Sequence, residues 1–285
     1  MLLLPWLALF GAALLALAGA GPRHWCWPLL AALLIAAAQG RLGWPTLLPM
    51  LLLAVAVWLA RQPQHPWRAA GHALLLCTGL GLALHAFPGF ANLPLWQQLV
   101  LSPGAQPATF FLNLDKPLLA FALLLVCPLP AQSWRSCGLA VLRCLPLTLL
   151  LVMPPAFALG LIAWAPPWQA GRWPLWPLPG GWWLLNNLLL VCLVEELLFR
   201  GWLMQGLARY WAGWRHGAAL ALILSALLFG LAHAAGGPVW VLVATLAGLG
   251  YGVAWRAGGL RAAVGVHFGV NAVHLLAFSY PQLAG

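Results

Sequence analysis

The stretch Leu188-Leu-Leu-Val-Cys-Leu-Val-Glu-Glu-Leu-Leu-Phe-Arg200 decides how this chain must fold, because it sets two adjacent carboxylates in an apolar run. The 285 residues include only three acids, and Glu195 and Glu196 are two of them. A carboxylate surrounded by hydrocarbon is costly unless it is paired or has a function there. The third acid, Asp115, precedes Lys116, and we interpret those two as a neutralised pair. We therefore expect Glu195 and Glu196 to mark a functional site.

The composition predicts an integral membrane protein. Hydrophobic residues make up 64% of the chain and charged residues 6%, whereas a soluble domain carries about 25% charged residues. The net charge of +10 does not indicate nucleic-acid binding, because the basic residues stand singly between apolar runs. We expect the lipid bilayer and no nucleic acid as a partner. The sequence makes no prediction of the oligomeric state.

The apolar runs predict an all-α, polytopic membrane bundle of about eight to ten transmembrane helices. Two long connections, 88–116 and 165–181, are rich in turn residues and are expected to be loops along the membrane interface. We divide the chain into an N-terminal helical section of unknown role, 1–135, and a C-terminal section, 136–285. The unusual polar residues gather within about 182–279. The predicted spans are 2–20, 25–39, 43–60, 69–87, 117–133, 139–164, 182–208, 216–235, 238–255 and 260–279.

Helix geometry separates the roles of the two adjacent glutamates. Residues four apart share a helix face, so Glu196 and Arg200 are predicted to pair. Glu195 is rotated by about 100° from Glu196 and receives no such partner from its own helix. We expect Glu195 to be the carboxylate that performs chemistry.

Further polar residues stand on the last predicted spans. His233 shares a face with Phe229, and His267, Asn271 and His274 form one polar stripe on an apolar helix. Such a stripe is expected to face the interior of the bundle. A carboxylate, imidazoles and an amide in one bundle are the groups of a hydrolytic site.

The order Glu195-Glu196-x-x-x-Arg200, Phe229-x-x-x-His233, His267-x-x-x-Asn271 resembles the CPBP family. This family contains the CAAX-protease and bacteriocin-processing, or abortive-infection, intramembrane endopeptidases. All three motifs are intact, and the resemblance covers about 182–279.

The resemblance implies an intramembrane endopeptidase that cleaves a membrane-associated protein or propeptide. Its catalytic residues would be Glu195 and His233, which activate a water, with His267 and Asn271 stabilising the oxyanion. Glu196 and Arg200 would be the supporting pair. His274 lies outside the family pattern, and either orients a neighbour or packs. The expected location is a bacterial inner or cell membrane.

The resemblance leaves the use of a metal open, because the family has been described both as metalloproteases and as glutamate-dependent proteases. The zincin motif H-E-x-x-H is absent. A divalent ion such as zinc would take Glu195, His233 and His267 as ligands. We favour the metal-free, glutamate-dependent form, with no cofactor, because only one carboxylate is left for chemistry and an amide stands beside His267.

Two other functions fit parts of this pattern. A proton-coupled transporter would use embedded Glu and His residues as a relay, but it predicts a polar motif in both halves of the chain, and we recognise none in residues 1–135. A catalytically inactive CPBP-like scaffold would be expected to have lost at least one of the polar motif residues.

Overall fold

The computed structural model describes residues 1–130, 132–166 and 179–284. The described chain is mostly helical, as the composition predicts, with one small sheet. Its two strands, β1 (Leu93–Leu99) and β2 (Ala108–Leu112), pair with each other. Its helices are α1 (Leu4–Leu17), α2 (Pro22–Ala38), α3 (Leu47–Ala60), α4 (His65–Ala83), α5 (Lys116–Val126), α6 (Trp134–Ala158), α7 (Gly181–Tyr210), α8 (Gly217–Leu231) and α9 (Pro238–Ala277).

Among the described residues, three helices are long and apolar enough to cross a membrane: α6, α7 and α9. This finding supports an integral membrane protein. The predicted number of eight to ten crossing helices is not confirmed, because α1, α3, α5 and α8 are apolar but shorter. The predicted span 117–133, for example, corresponds to α5, which ends at Val126. Pro128 and Pro130 follow shortly afterwards, and proline disfavours continuation of a helix because it has no backbone N–H to donate.

The two predicted interface loops have different outcomes. The connection 88–116 contains β1 and β2, which were not predicted from the sequence, and its position along the membrane interface stays a prediction. The aromatic and β-branched run around Thr109 and Phe110 suits a strand. The other predicted loop, 165–181, falls mostly on 167–178, outside the described residues.

The described chain contains two compact units, and the division of the chain at residue 135 stays a prediction. Residues 189–197 of α7 belong to the first unit, and the rest of that helix belongs to the second. The first unit comprises 1–94, 111–128 and 189–197, and the second comprises 95–110, 129–188 and 198–285.

In the first unit α1 packs on α2, and α3 packs on α4 and α5. The helices approach closely where glycine permits it. A Cβ on Gly71 of α4 would collide with the backbone of Ala60 in α3, and one on Gly79 would meet the Leu119 side chain of α5 at 2.7 Å. The sequence at the start of α5 favours helix formation, because Asp115 is the N-cap and Pro117 stands in the first turn. This packing places Lys116 at the start of a well-anchored helix.

In the second unit α9 packs along both α6 and α8. The helical run of α9 is broken at Gly259, whose φ of 70° and ψ of −161° are not helical. This break separates the two segments predicted as 238–255 and 260–279. A buried apolar cluster joins the three helices, with Phe229 of α8 and Tyr251 of α9 among its members.

The contact between α8 and α9 at Gly230 yields a stability prediction. A Cβ there would meet the carbonyl oxygen of Val241 at 2.6 Å and would also collide with Thr245. We expect Gly230→Ala to lower the free energy of unfolding by about 1–3 kcal/mol, because the helices must separate to admit the methyl group. Thermal unfolding in detergent measures this change.

The matched control is Gly206→Ala in α7, where a Cβ would meet nothing within 4 Å. This variant is expected to unfold at the wild-type temperature or slightly above it, because alanine favours the helix. Equal loss of stability in both variants would contradict the close approach at Gly230.

Candidate active site

Helix α7 is not a regular α-helix around its two glutamates. The segments Asn187–Cys192 and Leu197–Met204 are π-helical, and the four residues Leu193–Glu196 between them are α-helical. π-helical turns are rare and occur frequently at functional sites. The sequence prediction assumed a uniform turn of 3.6 residues, which the segment after Glu196 does not follow. The predicted pairing of Glu196 with Arg200 accordingly stays a prediction.

Glu195 has a charged partner from another part of the chain. In the first unit the Lys116 ammonium lies 2.9 Å from Oε1 of Glu195 and donates a hydrogen bond to it. The side chains are 23% and 15% exposed, respectively, so the pair is largely shielded. The salt bridge of Lys116 is thus with Glu195 rather than with the adjacent Asp115, whose charge is a smaller favourable influence on the ammonium. The ammonium reaches across to the carboxylate that the sequence singled out for chemistry.

Asp115 makes different contacts from those expected. Its Oδ2 accepts a hydrogen bond from Nδ1 of His85 at 2.6 Å, and its Oδ1 accepts one from the Lys116 backbone N–H at 2.8 Å. The Asn92 amide donates to both carboxylate oxygens, at 3.3 and 3.4 Å. The side chain of Asp115 is almost fully buried. Asp115 therefore holds the backbone of Lys116, and only the Lys116 side chain contacts Glu195 among these residues.

Glu196 and Arg200 are both completely buried. In the second unit the Arg200 Nη2 donates to the carbonyl oxygen of Gly248 at 2.9 Å. Its guanidinium carbon lies 4.6 Å from the ring centroid of Phe229 and 5.4 Å from that of Tyr251. Cation–π contacts of this kind are strongest where water is excluded. Arg200 is thus held by a hydrogen bond and by three aromatic rings, the third being Phe199 at 5.8 Å.

Phe229 brings three predicted site residues of the second unit together. Its ring centroid lies 4.8 Å from that of His233 and 5.7 Å from that of His267, and Arg200 lies over its face. Tyr251 stacks on His267 at 4.3 Å with an interplanar angle of 15°. The two motif histidines and the motif arginine therefore surround one aromatic side chain.

The hydrogen bond of His233 fixes its tautomer. Nδ1 lies 2.8 Å from the Phe229 carbonyl oxygen, which can only accept, so Nδ1 carries the proton. In the neutral ring Nε2 then has a lone pair to accept a proton. This arrangement is the one that a general base requires.

Asn271 and His274 have partners within the second unit. The Asn271 Nδ2 donates a hydrogen bond to Oδ1 of Asn187 at 3.2 Å. His274 Nε2 lies 3.2 Å from the Ser279 carbonyl oxygen, and its ring contacts Trp240 and Tyr280. His274 therefore ties the segment after α9 to the helix.

Among the described residues, neither unit contains a group of three or more His, Cys, Asp or Glu side chains arranged to hold a metal ion. The alternative ligand set of Glu195, His233 and His267 takes residues from both units. The choice between a glutamate-dependent and a metal-dependent reaction stays a prediction.

Residues 176–273 match a protein-family model described as Type II CAAX prenyl endopeptidase Rce1-like. The match confirms the resemblance to the CPBP family of CAAX-type proteases that the motifs indicate. It also supports a membrane-bound hydrolase of the protease class. No match was found among curated proteins or among solved structures.

Several residues of the site were not predicted from the sequence. Tyr251, Trp240 and Asn187 contact motif residues, but none belongs to a polar pattern on an apolar helix. Lys116 carries one signal that could have identified it, since it is the only lysine of the chain. Because it stands 79 residues before Glu195, no helical spacing reveals the contact.

The position of Phe229 yields a second stability prediction. The side chain is 2% exposed, and Phe229→Leu removes the ring that Arg200 and both histidines contact. We expect the free energy of unfolding to fall by about 1–3 kcal/mol. Phe157→Leu is the matched control, because Phe157 of α6 is 55% exposed. Thermal unfolding that separates the two variants supports the cluster, and equal unfolding temperatures would contradict it.

Proposed function

We propose that the chain is a multi-pass intramembrane endopeptidase that hydrolyses a peptide bond in a membrane-associated protein or propeptide. The observation that carries the proposal is the packing of His233, His267 and Arg200 around Phe229, within the residues that match the CAAX endopeptidase family. The apolar helices support a reaction within or beside the bilayer.

The proposed first step is attack by water on the scissile carbonyl carbon. Glu195 and His233 take these roles by resemblance to the family, and together they hold the water and accept its proton. The ion pair with Lys116 supports an ionised Glu195, the form that a general base needs. The protonated Nδ1 of His233 supports a role for its Nε2 as acceptor.

The proposed second step is collapse of the tetrahedral intermediate. His267 and Asn271 donate hydrogen bonds to the oxyanion, and one such donor contributes roughly 3 kcal/mol where water is scarce. The C–N bond then breaks, and the accepted proton passes to the leaving amine. The products are a new carboxylate and a new amine. Stacking of Tyr251 on His267 and the bond from Asn271 to Asn187 support fixed orientations for both donors.

Glu195→Gln is expected to abolish cleavage, because an amide cannot accept the proton of the attacking water. Mass spectrometry of protein termini in membranes from cells that express either form measures this. New termini are expected only with the wild type, and they name the substrate. A variant that still folds, as judged by its unfolding temperature, and produces the same termini would contradict the proposal.

We further propose that the reaction needs no metal. Extensive dialysis of the purified protein against EDTA and 1,10-phenanthroline is then expected to leave the cleavage rate unchanged within about twofold. The control is a zinc endopeptidase treated in parallel, which should lose activity, because the chelators remove its metal. Loss of cleavage that zinc specifically restores would identify a metal-dependent form.

The transporter alternative gains one observation, since the N-terminal section contributes Lys116 to a shielded ionisable pair with Glu195 and holds a buried carboxylate, Asp115, that His85 contacts. A transporter requires uptake of a solute coupled to protons in sealed proteoliposomes, and it produces no new protein termini. The terminal mass spectrometry described above therefore separates the two functions.

A further inference from the structure

The only lysine of the chain lies in the N-terminal section and contacts the candidate catalytic carboxylate. Lys116 stands 60 residues before the segment that matches the endopeptidase family, which begins at residue 176. Its ammonium is 2.9 Å from Oε1 of Glu195. All the other basic residues of the chain, apart from the histidines, are arginines.

The position of Lys116 is not explained by the stability of α5. It is the first residue of that helix, where the macrodipole disfavours a cation and favours an anion. Asp115 already caps the helix by accepting from the Lys116 backbone N–H. The ammonium therefore opposes the local helix preference, and its evident interaction is with Glu195.

The start of α5 is held in place by a series of hydrogen bonds. His85 and Asn92 both donate to the buried carboxylate of Asp115, which in turn holds the backbone of Lys116. The Asn92 side chain also accepts from the Leu114 backbone N–H at 2.8 Å. The backbone from which the Lys116 side chain extends is thus held in a fixed position.

We propose that Lys116 is a positioning residue for Glu195, supplied by the section of the chain outside the family match. Its ammonium balances the charge of the carboxylate in apolar surroundings and keeps it ionised. Its hydrogen bond to Oε1 also fixes the plane of the carboxylate and hence the direction of its second oxygen. This inference rests on the proposed endopeptidase function and gives the N-terminal section a role in it.

Lys116→Met tests the proposal, because it keeps an unbranched chain and removes the charge. The probe is an internally quenched peptide that spans a cleavage site found by the terminal mass spectrometry. We expect kcat to fall on the order of 100-fold, as misplacement of a reacting group does, while KM stays within about twofold. Lys116→Arg is expected to recover most of the loss, because it restores a cation and a donor.

Arg41→Met is the matched control in the same unit. Arg41 lies over the Trp6 ring at 5.0 Å and donates a hydrogen bond to the Ala91 carbonyl oxygen. Neither of these contacts involves a carboxylate, so the substitution removes a positive charge without breaking an ion pair. Its kcat is expected to equal that of the wild type. An equal fall in both variants would show a general effect of lost charge and would overturn the proposal.

Chemical modification provides a test that does not depend on folding of Lys116→Met. Acetylation of the folded protein by an N-hydroxysuccinimide ester removes the charge of Lys116, the only lysine available to the reagent. The treated wild type is expected to lose activity, whereas treated Lys116→Arg, acetylated only at its terminal amine, keeps it. Full activity of wild-type protein with Lys116 acetylated, verified by mass spectrometry, would overturn the proposal.

These results are distinguishable from failure of the proposed function. If Glu195→Gln abolishes cleavage but folded Lys116→Met keeps the wild-type kcat, only the positioning role is wrong. If Glu195→Gln itself cleaves normally, the endopeptidase mechanism is wrong, whatever Lys116 does.

Discussion

The ion pair between Lys116 and Glu195 is the interaction on which the proposed role of Glu195 depends. A carboxylate in an apolar protein either finds a cation or takes up a proton, and a protonated acid cannot act as a base. The chain contains three acids and one lysine, and it places this lysine against Glu195. The hydrogen bonds of Asp115 with His85 and with the start of α5 explain how the ammonium is held there.

Aromatic side chains position the other candidate groups. With few polar residues to spare, the second unit orients its histidines and Arg200 against Phe229, Tyr251 and Trp240. Ring faces bind a guanidinium and stack on imidazoles without introducing further charges. Hydrogen bonds then fix the orientation and the tautomer of single side chains, as the bond from Nδ1 of His233 to the Phe229 carbonyl oxygen does. These aromatic contacts therefore keep the histidines and Arg200 ordered without adding polar groups to apolar surroundings.

The sequence predicted much of this arrangement where periodicity carries the information. Apolar runs predicted the helices, and the gap before residue 260 anticipated the break at Gly259. The spacing of the polar residues indicated the family whose model matches residues 176–273. The inward position expected for the stripe agrees with the burial of His267.

Contacts between residues far apart in the sequence, and the change from α-helical to π-helical turns, could not be predicted from periodicity. Adjacency suggested that Asp115 neutralises Lys116, yet the backbone direction at the start of α5 sends the ammonium to a residue far along the chain. The π-helical segments on both sides of the glutamates carry no pattern that differs from an ordinary apolar helix. Tyr251 looks like any core aromatic until its ring is found against His267.

The most direct test of a Glu195-activated water is cleavage in water labelled with ¹⁸O, with the new C-terminus read by mass spectrometry. The wild-type protein is predicted to place one labelled oxygen in the new carboxylate during a single turnover, and Glu195→Gln is predicted to yield no labelled product. Labelled product from the variant at the wild-type rate would contradict the account.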